Sequence, residues 1–160
     1  PRVRRQRQMC IRDSPWYVDY VDKRFVDYRN RLVFILTQES SLMEIVKLIG
    51  GDMLPDDQKL ILEIAKVIRI GFLQQNAFHK EDTCVPMEKQ FLMMDLILYL
   101  YKKSRSLISM GMPMSVLRED PIFDKIISLK YDVPNDRLDL FDDYKKQVDA
   151  FYDSVIERNA

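Results

Sequence analysis

Residue types that support catalysis or disulfide bonding are scarce in this chain of 160 residues. Glycine occurs four times, and no segment has the glycine-rich pattern of a phosphate-binding loop. Outside residues 1–14 there is one cysteine, Cys84, and one histidine, His79. One cysteine cannot form an internal disulfide, which fits a reducing compartment. Two such residues are too few for a metal centre or a catalytic triad, so the polypeptide read alone carries no catalytic machinery.

Long apolar runs are also absent, since none approaches the roughly 18–20 residues that a transmembrane helix needs. Apolar residues make up 47% of the chain and charged residues 31%, a balance typical of a folded globular domain rather than a disordered chain. The length corresponds to one domain with a core of its own. The low glycine content and the scarcity of alternating, strand-like runs favour helices.

The net charge of zero conceals an uneven distribution. Residues 1–14 hold five of the 25 basic residues and one of the 25 acidic residues, so they carry +4 and the remainder carries −4. This basic segment has three interpretations: a nucleic-acid-binding arm, a transit segment, or a translated transposase mosaic-end adaptor. The run from Gln8 to Ser14 favours the adaptor. Residues 1–14 therefore do not enter the prediction of the fold, and we expect the native sequence upstream of about Pro15 to be missing.

Breaker residues divide the first half of the remaining chain into helical segments. Apolar side chains recur at three- to five-residue spacing from Trp16 to Ile35, and a second run ends at the pair Gly50-Gly51. A short acidic turn follows, after which a helix carries one apolar face: Leu60, Ile61, Ile64, Ile68 and Phe72. The two helices and the turn predict an αα-hairpin with an acidic tip.

The second half of the chain shows the same pattern. Residues 87–109 form the most apolar helix, which Gly111 and Pro113 stop. Shorter helices are predicted over residues 114–118 and 121–129, a break at Pro134, and a final helix with a single apolar stripe over residues 138–155. The sequence therefore predicts an all-α helical bundle that includes the acidic hairpin.

The heptapeptide Phe72-Leu73-Gln74-Gln75-Asn76-Ala77-Phe78 ends one of these helices in an unusual way. Two aromatic residues bracket three side-chain amides, where glycine, proline or a charged residue would be typical. Amides that donate and accept, beside flat apolar rings, suit a planar ligand with polar edges such as a purine. A buried loop needs the same groups, so both interpretations remain open at this point.

Several of these segments, in order, carry a resemblance to a known family. They are Glu44-Ile45-Val46-Lys47-Leu48-Ile49-Gly50, the acidic turn, the heptapeptide and Glu88-Lys89-Gln90, with an aromatic entry at Trp16-Tyr17. From Pro15 onward the chain resembles the C-terminal domain of the catalytic A subunit of V/A-type rotary ATPases, in its bacterial or archaeal form. It departs at Cys84, where the family often has an aromatic residue.

The resemblance implies that this domain lines the adenine side of an ATP site. Phe78 is expected to stack on the base with Ala77 beside it, while Gln75 and Asn76 shape the rim or bind the base edge. Phe72 is expected in the core, and Gln74 is expected to satisfy loop backbone. The implied cofactor is ATP or ADP with Mg²⁺, whose phosphate and metal ligands belong to the upstream domain. We therefore expect no ATP hydrolysis by this chain alone.

The resemblance further implies a mechanical role for the acidic turn: Asp52, Met53, Leu54, Pro55, Asp56 and Asp57. These residues are expected to press on a central rotor stalk as the domain swings with nucleotide binding, in the manner of a lever. Exposed ion pairs contribute only about 0–1 kcal/mol each, so shape at Met53, Leu54 and Pro55 is expected to matter more than charge. The implied partners are the rotor and the non-catalytic B subunits of an alternating hexamer. That assembly would lie on the cytoplasmic face of the cell membrane and transport protons or sodium ions.

Two other classes of protein compete with this interpretation. One is a stand-alone helical protein-interaction module with no nucleotide role, for which the nine methionines would provide an adaptable surface. The other is a nucleic-acid-binding protein, which is weaker because the only basic stretch falls within residues 1–14.

Overall fold

The computed structural model of the protein describes residues 15–159, and every regular element in that range is helical. In chain order the elements are α1 (15–20), α2 (Phe25–Ile49), α3 (Asp56–Lys66), a π-helix (Val67–Leu73), α4 (Lys80–Thr83), α5 (Met87–Ser109), α6 (Met114–Arg118), α7 (Ile122–Asp132) and α8 (Leu140–Asn159). The prediction of an all-α fold is confirmed. The proposed adaptor, residues 1–14, lies outside the described range.

Helix α5 is the central element of the bundle. It packs against α2, α3, the π-helix and α8, and it buries side chains around its circumference, among them Leu96, Ile97 and Leu100. Its predicted bounds are confirmed. Gly111, two residues beyond its end, has a φ of 92°, a conformation that glycine adopts without strain.

The single stripe predicted from Trp16 to Ile35 is interrupted in the structure. Residues 21–24 leave the helix, because the carboxylate of Asp22 accepts the backbone N–H of Arg24 at 2.7 Å and also binds its guanidinium. Phe25 then begins α2. Trp16 and Tyr20 stack on each other at 5.3 Å and remain exposed, so they contribute little to the core.

The predicted αα-hairpin is present. Helices α2 and α3 pack against each other, and an ion pair joins Glu39 of α2 to Arg69 of the π-helix that continues α3. Gly50 ends α2 with a φ of 83°, and its N–H binds the carbonyl of Val46 at 2.9 Å. The glycine supplies the positive φ with which the helix ends, as the sequence indicates.

Helix α3 continues into the π-helix without a break, which the sequence did not predict. The apolar spacing through Phe72 fits a regular α-helix, yet the N–H of Gln74 binds the carbonyl of Arg69, five residues back, at 2.8 Å. The π-helix packs closely on α7: a Cβ on Gly71 would lie 3.2 Å from the Cα of Ile127. Glycine therefore allows this close approach.

Candidate functional site

The amide-rich heptapeptide forms the exit from the π-helix. Phe72 is partly buried and packs against the core, which matches its predicted place. The chain then extends through Gln74 and reaches Phe78, whose ring is fully exposed at 101%. The loop therefore offers a bare aromatic face on the surface of the domain.

Hydrogen bonds hold the backbone of this loop in place. The N–H of Asn76 binds Oδ2 of Asp82 at 2.6 Å, and the N–H of Phe78 binds Oδ1 of Asn76 at 3.0 Å. The hydroxyl of Thr83 donates to the carbonyl of Ala77 at 3.0 Å. The side-chain oxygen of Asn76 is thus engaged within the loop.

The three amides of the heptapeptide differ in how their side chains and backbones are bonded. Gln75 and Ala77 are exposed beside Phe78, and Gln75 has no side-chain hydrogen bond within residues 15–159. Gln74 contributes through its backbone carbonyl rather than its side chain, since that carbonyl accepts a hydrogen bond from Lys130 at 2.5 Å. Of the two amides predicted to border the base, Gln75 and Asn76, Gln75 is therefore the one whose side chain has no hydrogen bond in the described part of the chain.

A buried pair of charges lies beneath the loop, and sequence reasoning missed it. Lys130 on α7 and Asp82 on α4 are each 3% exposed, with Nζ and Oδ2 3.8 Å apart. Lys130 donates to the carbonyl of Ile70 at 2.7 Å as well as to Gln74. The available signal was a lysine on the apolar face of α7, four residues after Ile126 and next to Leu129. The segment between the heptapeptide and α5 thus contains one helical turn and a buried acid.

A second buried lysine, Lys89, supports the neighbouring segment. Its Nζ donates to the carbonyls of Lys130 at 3.2 Å and Val133 at 2.6 Å, and to Oδ1 of Asn135 at 2.9 Å. Burial lowers the pKa of Lys89, although nearby Glu81 and Asp82 oppose that shift. Lys89 therefore ties α5 to the end of α7 and to the turn that follows it.

His79 packs against α7, whereas the side chain of Cys84 is exposed. The ring of His79 packs on Tyr131 with centroids 4.6 Å apart, and its Nδ1 is buried without a hydrogen-bond partner. Cys84 is exposed as a free thiol. Across residues 15–159 no three histidine, cysteine or acidic side chains converge as metal ligands, and no helix is long and apolar enough to cross a bilayer.

The hairpin tip exposes acidic and apolar side chains together. Met53 is 75% exposed, while Asp52, Pro55 and Asp57 are exposed around it. Asp56 is partly buried and lies 3.6 Å from Lys59. Leu54 is 4% exposed, so it supports the turn from inside, in contrast to its expected place on the contact surface.

The apolar surface extends from the tip onto the end of α2. Leu48 is 85% exposed, and Ile45 and Ile49 are also exposed. These residues belong to the run predicted to be helical, which is confirmed, but that run is open to solvent. With Met53 they form an apolar tip surface of four residues.

A groove of about 730 Å³ in the described part of the chain lies between α2 and α5. It is lined by residues that include Arg31, Phe34, Asp95 and Arg105. None of its lining residues belongs to the loop that carries Phe78. A ligand on Phe78 would consequently need a second surface to enclose it.

Comparison with known proteins places these features in a family. Residues 14–117, which contain both the loop and the hairpin tip, match the family model described as the C-terminal domain of V and A type ATP synthase. The chain belongs to this family.

Individual relatives agree with the match. The chain is 41% identical over 91% of its length to the V-type ATP synthase alpha chain 2 of Clostridium tetani, and 41% identical over 90% to the V-type ATP synthase alpha chain of Halothermothrix orenii. It is 37% identical over 89% of its length to the V-type ATP synthase alpha chain of Thermoanaerobacter sp. strain X514. The chain spans about a quarter of each relative, 24% of the first two and 25% of the third.

Proposed function

We propose that this chain is the lever domain of a catalytic subunit in a rotary ATPase, and that it also provides the adenine side of the ATP site. The observation that carries the nucleotide role is the fully exposed ring of Phe78 on a loop with a hydrogen-bonded backbone. An exposed aromatic ring on a loop whose backbone is hydrogen-bonded presents a flat apolar face that suits a partner stacking on it.

The loop provides one wall of a nucleotide site and no more. Phe78 stacks on the base, Ala77 lies beside it, and Gln75 and Asn76 border the base edge. Gln75 is the stronger candidate for a hydrogen bond, because the oxygen of Asn76 is bound to the N–H of Phe78. Phosphate and Mg²⁺ ligands belong to the nucleotide-binding domain, so residues 15–160 alone hydrolyse no ATP.

The hairpin transmits the movement of the nucleotide site to the rotor. Asp52, Met53, Pro55, Asp56 and Asp57 contact the central stalk, and Leu54 stiffens the turn beneath them. The exposed Leu48 and Ile49 extend this contact along α2. Rotation of the stalk drives proton or sodium transport, or synthesis in the reverse direction. Three such subunits alternate with non-catalytic B subunits at the cytoplasmic face of the membrane.

The decisive experiment replaces Phe78 with alanine in the assembled ATPase. Base–aromatic stacking contributes about 1–3 kcal/mol, so the KM for ATP should rise by about tenfold. The turnover number should change little, because groups elsewhere bind the reacting phosphates. Phe34→Ala is the matched control, since Phe34 is an exposed phenylalanine on α2. An unchanged nucleotide affinity in Phe78→Ala would remove the loop from the ATP site.

A further inference from the structure

The loop that carries Phe78 is supported from below by Lys130, which reaches it from α7. The ammonium group is buried and donates to two backbone carbonyls, those of Ile70 at 2.7 Å and Gln74 at 2.5 Å. These carbonyls lie at the end of the π-helix, where backbone oxygens lack partners within the helix and the helix dipole is negative. A cation at this position therefore fixes where the helix ends and how the chain leaves it.

Asp82 completes the arrangement from the opposite side of the loop. Its Oδ2 lies 3.8 Å from Nζ of Lys130 and accepts the N–H of Asn76 at 2.6 Å. The two charges thus bind the chain immediately before and after Gln75, one through a carbonyl and the other through an N–H. Both bonds involve a charged group, which makes them stronger than bonds between neutral groups.

Tyr131, the residue after Lys130, contacts the same loop further along. Its ring packs on His79, which directly follows Phe78. The chain on either side of Phe78 is therefore tied to α7 by consecutive residues. Close packing of Gly71 on Ile127 keeps the π-helix and α7 in register.

Stability alone is a poor explanation for this pair. Removing two charges from water is expensive, and apolar side chains of similar volume often stabilise a bundle as well or better. What an apolar replacement would not provide is a defined path for the backbone at Gln74 and Asn76. The specific contribution of Lys130 and Asp82 is therefore to define the conformation of the loop.

We infer that Lys130 and Asp82 are positioning residues for nucleotide binding, which hold the loop from Gln74 to Phe78 so that the ring of Phe78 faces the adenine. This inference rests on the proposed adenine contact. Lys130 does not touch the nucleotide. It acts through the backbone that presents Phe78, and its loss should weaken binding of the base without altering the chemical step.

The test compares Lys130→Met with Lys125→Met in the assembled ATPase. Both lysines are on α7, but Lys125 is 48% exposed and forms a surface ion pair with Asp120 at 3.4 Å. Lys130→Met should raise the KM for ATP by about tenfold, the effect of losing one or two charge-assisted hydrogen bonds. Its turnover number should stay within about twofold of the wild type. Lys125→Met should leave both constants unchanged.

Combination with Phe78→Ala shows whether Lys130 acts through the ring. The double variant Lys130→Met, Phe78→Ala should have the KM of Phe78→Ala alone, because the positioned group is already absent. If the double variant instead raises the KM by the product of the two single-variant factors, Lys130 does not act through Phe78. A normal KM in Lys130→Met beside a raised KM in Phe78→Ala would reject the positioning role and keep the adenine contact. A normal KM in Phe78→Ala would reject both.

Asp82→Asn provides a second test if Lys130→Met fails to assemble. The amide preserves the size of the side chain and an oxygen for the N–H of Asn76, but it removes the counter-charge of Lys130. We expect the KM for ATP to rise by about threefold to tenfold, with turnover retained. An assembled Asp82→Asn enzyme with normal KM would overturn the inference.

Discussion

Met53 and Leu54 are consecutive residues of the hairpin turn that face opposite environments: the first is 75% exposed and the second is 4% exposed. The tip therefore has a surface layer and a supporting layer. Met53 belongs to the apolar tip surface with Ile45, Leu48 and Ile49, while Leu54 fills the space beneath the turn. The two layers call for different experiments.

The surface layer should determine mechanical coupling. Replacing Leu48 and Met53 with serine removes the two most exposed apolar side chains of the tip surface and should reduce torque, or ion transport per ATP hydrolysed, to about half or less if burial against the rotor drives contact. Asp56→Asn with Asp57→Asn should leave coupling nearly unchanged, because exposed charges contribute little. Single-molecule rotation measures both. A larger loss in the aspartate pair than in the apolar pair would contradict this ranking.

The supporting layer should determine stability. Leu54→Ala removes a buried side chain and should lower the free energy of unfolding of residues 15–160 by roughly 2–3 kcal/mol. Met53→Ala, at the exposed neighbouring position, should change it by less than about 0.5 kcal/mol. Urea denaturation followed by circular dichroism gives both values. Equal effects of the two substitutions would mean that the turn is not packed as described.

The contact between the π-helix and α7 should tolerate no larger residue at position 71. A Cβ there would lie 3.2 Å from the backbone of Ile127, which cannot move aside as a flexible side chain can. Gly71→Ala should therefore destabilise the domain by about 1–3 kcal/mol. Gly51→Ala is the control, since its Cβ would meet only the side chain of Val46 at 3.9 Å. Thermal unfolding of the two variants compares them directly, and equal melting temperatures would disprove the close approach.

Tyr152 should make the bundle sensitive to alkaline pH. Ser104 donates its only hydroxyl proton to the carbonyl of Leu100 at 2.8 Å, so in the bond between Ser104 and Tyr152 the phenol is the donor. Burial raises the pKa of Tyr152 from 10.0 to about 12. Because the folded pKa exceeds the unfolded one, its contribution to stability is complete below pH 10 and is lost as pH rises towards about 12.

The corresponding measurement is the free energy of unfolding as a function of pH. Tyr152→Phe should be less stable than the wild type near neutrality by about 1 kcal/mol, and the difference should shrink between about pH 10 and 12. Tyr20→Phe, with an exposed ring, should follow the wild type. If the difference between Tyr152→Phe and the wild type stays constant across that range, the pKa of Tyr152 is not raised in the folded state.

The elements predicted from the sequence are those whose cause is local. Gly50 and Gly111 end helices by adopting positive φ, and an apolar run defines α5 from Met87 to Ser109. The π-helix was not predicted because its apolar spacing also fits an α-helix. Two contacts distinguish it, that of Gly71 with Ile127 and that of Lys130 with Gln74. Each joins residues 56 positions apart in the chain.

In the candidate site too, residues with a local sequence signal were predicted and residues brought together only by the fold were not. The heptapeptide was visible because its residue types are unusual for a helix end, and Phe78 is exposed, as the proposed stacking requires. Lys130 and Asp82 were missed because a charged residue in an amphipathic pattern is normally assigned to solvent. Only the folded chain brings Lys130, the carbonyls of the π-helix and Asp82 together.

The uninterrupted helical segment from Asp56 to Leu73 joins the hairpin tip directly to the loop of Phe78. At about 1.5 Å per residue it is about 25 Å long. Gly71 and Lys130 hold its loop end against α7 as a fixed point, while the tip end packs on α2 and α5. A tilt of about 10° at the fixed point would move the tip by about 4 Å over that length. In the proposed mechanism, a small closure around the base would thus become a displacement the size of a side chain at the opposite end.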